Sequence, residues 1–161
     1  MKINNRNSFA DEAEALLQRQ LHEWPLVADN YRALQALCMR TIEVGGVSVR
    51  LQYNPARIRS TASKVDAVSL SERPCFLCDA NRPVEQLSLP IGGQYKLLVN
   101  PYPIFPRHFT LPSVVHTPQA IIGRFADMLE LASLLPEYVI FYNGCLLYTS
   151  PSPRDISGSR M

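Results

Sequence analysis

Apolar residues recur at helical spacing at the start of the chain, where Phe9, Ala13, Leu16, Leu17, Leu21 and Trp24 fall on one face. Ser8 stands where a cap would accept the first free backbone N–H groups, and Asp11, Glu12 and Glu14 follow near the positive end. Pro25 predicts the end of this helix, because its ring fixes φ and removes a donor. A second short helix is predicted over residues 29–39, with Tyr31, Leu34, Leu37 and Cys38 on one side. Both stripes read as packing surface rather than as a ligand box.

The period then changes to two. Residues 41–53 alternate β-branched and polar side chains around Gly45-Gly46, which predicts a hairpin with a glycine turn. Residues 94–99 read as a strand whose partner begins at Phe109-Thr-Leu-Pro112, with a proline-rich, non-helical connection between them. Helical spacing returns over residues 118–135, carried by Ile121, Ile122, Phe125, Met128, Leu129 and Leu131. The apolar run 138–142 then predicts a buried strand. The expectation is an α+β fold: strands at 47–53, 94–99, 107–112 and 138–142 form a mostly antiparallel sheet, and the 118–135 helix packs on it.

Composition narrows the class without changing that picture. The chain has 161 residues, 47% of them hydrophobic, which suits one ordinary globular core. A net charge of +2 and the lack of a basic stripe give no support to nucleic-acid binding. The first residues lack the apolar stretch of a signal peptide, and no window has the run of apolar residues that a membrane span needs. A cytoplasmic protein is expected, with no membrane partner. Four cysteines in a chain of this size do not make a disulfide framework.

The chemistry concentrates between Cys75 and Gln119. Cys75-Phe-Leu-Cys78 followed by a histidine beyond a hairpin-like segment supplies three of the four ligands of a tetrahedral zinc site. A redox pair and two unrelated buried thiols are the alternatives. His108 and His116 are the histidines within reach in sequence; His108 also reads as a turn histidine paired to backbone, and His116 as a helix-entry residue before Thr117-Pro118. Upstream, Asn54-Pro-Ala-Arg57 opens a loop with Arg59 and Lys64, whose charges and neighbouring hydroxyls could hold a phosphate. A solvated basic loop is the plainer reading.

The string Asn100-Pro-Tyr-Pro-Ile-Phe-Pro-Arg-His108-Phe-Thr-Leu-Pro112, with Cys75-Phe-Leu-Cys78 ahead of it, resembles the galactose-1-phosphate uridylyltransferase branch of the histidine-triad (HIT) superfamily. Asn54-Pro-Ala-Arg57, Lys64-Val-Asp66 and Asn81-Arg-Pro83 resemble a bacterial family of that branch without an assigned activity. The likeness covers roughly Phe9 to Gly144. It implies a HIT-like domain over residues 41–144 after an N-terminal helical segment, 1–40. It also implies zinc held by Cys75, Cys78 and His108, with His116 in a supporting place at most. Arg57 would meet substrate phosphates, with Lys64 a further candidate, while Asn100 and Asn143 would line the nucleotide cleft. The activity implied is a nucleotidyltransferase or phosphorylase acting on a nucleotide-sugar or dinucleotide through a covalent nucleotidyl-histidine. A zinc-stabilised, non-catalytic binding module is the alternative, and a homodimer is left open.

In that branch an Asn-Gly like Asn143-Gly144 leads to the His-x-His motif, but here the chain continues Cys-Leu-Leu-Tyr-Thr-Ser-Pro-Ser-Pro-Arg-Asp155 with no histidine. Reverse-translated, this string resembles a transposase-based sequencing adapter. Residues 145–161 are therefore read as a non-native tail, and the nucleophilic histidine is expected beyond Gly144 in a longer parent. The fragment itself is expected to be inactive.

Overall fold

Pro25 opens a helix rather than merely closing one. In the computed structural model, which describes residues 6–53, 74–117 and 120–142, α1 spans Arg6–Glu23 and α2 spans Pro25–Gln35. Trp24 between them is extended (φ −119°, ψ 100°), as a residue before proline prefers, and Pro25 sits at the first helical position, where its missing N–H is not needed. Two expectations move accordingly. Ser8 lies within α1 instead of capping it, and the second helix ends at Gln35 so that Cys38 starts a strand.

The predicted hairpin is present as β1 (Cys38–Val44) and β2 (Val47–Tyr53), with Val44 opposite Val47. Gly45 and Gly46 both have positive φ (57° and 80°), the conformation that a two-residue hairpin turn requires and other residues resist. This pair makes a two-stranded sheet of its own and does not join 94–99, contrary to the single sheet expected.

The second sheet is three-stranded and antiparallel, in the order β3 (Ser88–Ile91), β4 (Tyr95–Val99), β5 (Phe109–Thr110). β4 and β5 pair with each other as predicted, Leu98 opposite Thr110 and Val99 opposite Phe109. β3 was not foreseen. Residues 138–142 form no strand, for the chain turns at Leu135–Tyr138 (Tyr138 N–H to Leu135 C=O, 3.0 Å) and an apolar run alone does not dictate pairing. α3 covers Phe125–Leu134, less than the 118–135 expected. Gly123, at φ 78°, breaks any helix before it, and Pro118 and Gln119 lie outside the described residues.

Alternation along β4 sorts the core. Tyr95, Leu97 and Val99 point to the helices. There Leu97 meets Ala13, Ile91, Leu131 and Leu134, while Val99 meets Leu17, Trp24, Val27 and Tyr31. Lys96 and Leu98 face the other way and are buried as well. The α+β architecture is thus helices on one face of a small antiparallel sheet, with the Cys75–Cys78 segment reaching the opposite face at Lys96. Gln20, fully buried on α1, ties the loop before β3 to the helix: its amide donates to the Glu85 carbonyl (2.8 Å) and accepts from Leu87 N–H (3.2 Å).

Candidate metal centre

Cys-Phe-Leu-Cys folds into a tight turn because the Cys78 N–H reaches back to the Cys75 carbonyl (3.1 Å), which brings the two side chains to one side. A 3-10 turn, Asp79–Asn81, continues it, and the Asn81 side-chain amide donates to the same Cys75 carbonyl (3.0 Å). The turn is fixed to the sheet by charge. Asp79 accepts from the Lys96 ammonium (2.5 Å) and from Arg82 (2.5 and 3.0 Å), and Arg82 also donates to the Gln86 carbonyl (3.0 Å). The Asp79 carboxyl is held below its ordinary value, first by the hydrogen bond from Lys96 and then by that from Arg82. A buried ammonium needs such a counter-ion, so the ion pair is part of what seats the turn.

The third donor arrives from the chain after β5. Lys96 N–H donates to the Pro112 carbonyl (3.1 Å), Ser113 bridges Tyr95, and Val114 N–H donates to the Gln94 carbonyl (2.8 Å), which aligns residues 112–114 beside β4. His116 follows two residues later and meets the turn, its Nδ1 3.2 Å from Cys78 Sγ. The ligand atoms of Cys75, Cys78 and His116 all lie within 4.8 Å of one another, a group that could hold a metal ion. Two sulfurs and an imidazole nitrogen are the donor set that borderline-soft ions such as zinc favour. The Cys78 thiol is pushed above its ordinary value, first by its hydrogen bond with Cys75, while the Lys96 charge pulls it down.

His108 does not join this group. Its Nδ1 accepts from Ile104 N–H (3.3 Å), and its ring meets Phe105 edge-on and stacks on Phe141, with centroids 5.8 and 6.5 Å apart. The histidine beside the cysteines is the one that follows residues 112–114, which lie along β4. His108, at the entry to β5, instead ties elements together: its carbonyl accepts from Asn100 N–H (2.9 Å) and from the Tyr31 hydroxyl (3.1 Å).

Asn100 stands half-buried after β4, as expected, and its side chain shapes its own turn, accepting from Tyr102 N–H (2.9 Å) and donating to Thr110 Oγ1 (3.3 Å). Arg57, Lys64 and Asn143, with the tail 145–161, lie outside the described residues. Sequence reasoning missed Lys96, since a lysine flanked by apolar residues in a strand reads as solvent-facing. It set His116 aside for the Thr-Pro that follows, although the position after a strand that pairs with β4 was the available signal.

The model of a family described as "Domain of unknown function (DUF4922)" matches residues 16–153. No curated protein and no solved structure matches the chain. Among the described residues, no helix is long and apolar enough to cross a membrane.

Proposed function

The chain belongs to the DUF4922 family, and from that premise we propose that it is a zinc-stapled α+β domain of a nucleotidyltransferase or phosphorylase acting on a nucleotide-sugar or dinucleotide. The observation that carries the metal half is the convergence of Cys75, Cys78 and His116. Zinc held there would tie the turn, the β4 strand and the chain after β5 at one point, a structural rather than a Lewis-acid role, with a fourth ligand from outside the three. The nucleotide half is supported by the HIT-like strings and by Asn100, half-buried at the end of β4 beside the His108 backbone. Arg57 is proposed for the phosphates and Asn143 for the same cleft.

Of the three histidines in the chain, His22 is exposed on α1, His108 is packed in an aromatic cluster and His116 stands with the cysteines. None is proposed as the nucleophile. In this reading a histidine other than these three attacks the α-phosphorus. A non-catalytic zinc module is the second reading, favoured by one observation: the Asn100 side chain is already engaged in its own turn.

Zinc content after gel filtration in chelator-free buffer tests the metal half, with one equivalent per chain expected and none in Cys75→Ser. Titration with nucleoside monophosphates and nucleotide-sugars, followed by amide shifts, tests the other. Shifts at Asn100 and its neighbours Tyr102 and Thr110 that, at those neighbours, are lost in Asn100→Ala support the nucleotide reading. A protein that binds zinc stoichiometrically and shows no shift with any of them is the module.

A further inference from the structure

Two thiols that can share a metal can also share a bond. Cys75 and Cys78 are close enough for their sulfurs to lie within 4.8 Å, on a turn already closed by the Cys78 N–H to Cys75 carbonyl bond, and both are only half-buried. A disulfide needs the sulfurs at about 2.0 Å, a shift that side-chain rotation on such a turn can supply. Cys38, the remaining described cysteine, is exposed on β1 and is not in the group. An oxidant therefore meets a thiol with a second thiol within 4.8 Å on its own turn.

We propose that Cys75–Cys78 is a peroxide-sensitive redox site, in which a reversible intramolecular disulfide releases the metal and disengages His116 from the turn. The release rests on the metal reading above; the disulfide does not. In the first step one sulfur, as thiolate, attacks a peroxide oxygen. The O–O bond breaks, hydroxide leaves and is protonated to water, and a sulfenic acid remains. The second sulfur then attacks the sulfenic sulfur, the S–O bond breaks, and a second water departs as the S–S bond forms. Two thiols lose two electrons, and one peroxide becomes two waters. With both sulfurs bonded to each other, His116 is the sole donor left of the three, too few to keep a zinc ion.

The consequence for the fold is local. Asp79, Arg82 and Lys96 hold the turn to β4 by contacts that involve no sulfur, so oxidation frees the chain at His116 without detaching the turn. The site would then report oxidising conditions by loosening residues 115–117, beyond the Val114 N–H to Gln94 carbonyl bond, while the core stays intact.

The test uses the full 161-residue chain with Cys38→Ser and Cys145→Ser, zinc-loaded and metal-free, exposed to hydrogen peroxide. Expected is a product about 2 Da lighter, with Cys75 and Cys78 linked in one peptide, loss of bound zinc measured with a chromogenic chelator, and recovery of both thiols and zinc binding after dithiothreitol. His116→Ala, which keeps both thiols, should form the same disulfide without retaining zinc beforehand. Sulfinic acid at either cysteine, an intermolecular disulfide, or zinc retained alongside a 75–78 link overturns the proposal. A reduced protein that never holds zinc overturns the metal reading, and the 75–78 link in that protein then decides the redox site by itself.

Discussion

Tyr31 offers the sharpest test of how the helices hold the strand end that carries Asn100. It is 6% exposed, and its hydroxyl both donates to the His108 carbonyl (3.1 Å) and accepts from His108 N–H (3.4 Å). Burial, above all, pushes its pKa up to about 12 from the ordinary 10.0. Tyr31→Phe removes the hydroxyl while keeping the ring, and at neutral pH it takes away both the bond donated to the His108 carbonyl, which keeps its bond from Asn100, and the bond accepted from the His108 N–H, together about 1–2 kcal/mol. The pH dependence is more telling. A folded pKa above the unfolded one means the folded state holds its proton more tightly, so the tyrosine's contribution is complete below pH 10 and is lost as pH rises through about 12. Two pKa units correspond to roughly 2.7 kcal/mol, so the wild-type advantage should vanish near pH ~11 and reverse above it. Urea unfolding followed by the fluorescence of Trp24, the single tryptophan and a neighbour of Tyr31 in the core, would measure both proteins from pH 8 upward. Other tyrosines and lysines titrate in both and largely cancel. A stability difference that stays constant through this range, or grows with pH, refutes the argument.

Three further outcomes follow from the same contacts. His116→Ala should abolish zinc retention while His108→Ala leaves it in place, read from metal content after gel filtration; the opposite pattern would return His108 to the centre. Gln20→Leu keeps the volume of a buried side chain but strands the Glu85 carbonyl and the Leu87 N–H, and should cost about 2–4 kcal/mol in urea unfolding; a cost below about 0.5 kcal/mol would mean that water or a shifted loop replaces both bonds. Asp79, whose carboxyl lies below its ordinary pKa, contributes stability that is present above the unfolded value and lost as pH falls through the folded one. Asp79→Asn should therefore flatten the acid limb of the stability profile below about pH 4, and an unchanged limb would show that Lys96 finds another counter-ion.

How far these features could be read from the sequence depends on how local their causes are. The Gly45-Gly46 hairpin was legible because its turn chemistry sits in two adjacent residues. The pairing of β4 with β5 was legible because two strand-like segments joined by a short, non-helical connection are the pattern of an antiparallel pair. Pro25 was half legible: a proline marks a helix boundary, but whether it closes one helix or begins the next depends on packing of Val27 and Tyr31 into the Trp24 cluster. The strand expected at 138–142 failed for the complementary reason, since an apolar run says that a segment is buried and not which partner, if any, it pairs with.

The metal centre divides along the same line. Its two cysteines announce themselves because the turn that unites them spans only the residues between them. The choice of histidine cannot be local. His108 and His116 both follow the pair at comparable distance, and they are separated in function by the ladder that extends β5: bonds from Lys96 N–H to Pro112 and from Val114 N–H to Gln94 carry the chain along β4 to the face where Asp79 is pinned by Lys96. His108 enters that ladder on the far side, where Tyr31 and the aromatic rings hold it. Lys96 is thus the residue that makes the site decipherable in retrospect. A lysine in a buried strand demands an anion, the nearest anion is one residue past Cys78, and the histidine that meets the cysteines must be the one delivered to that same face of β4.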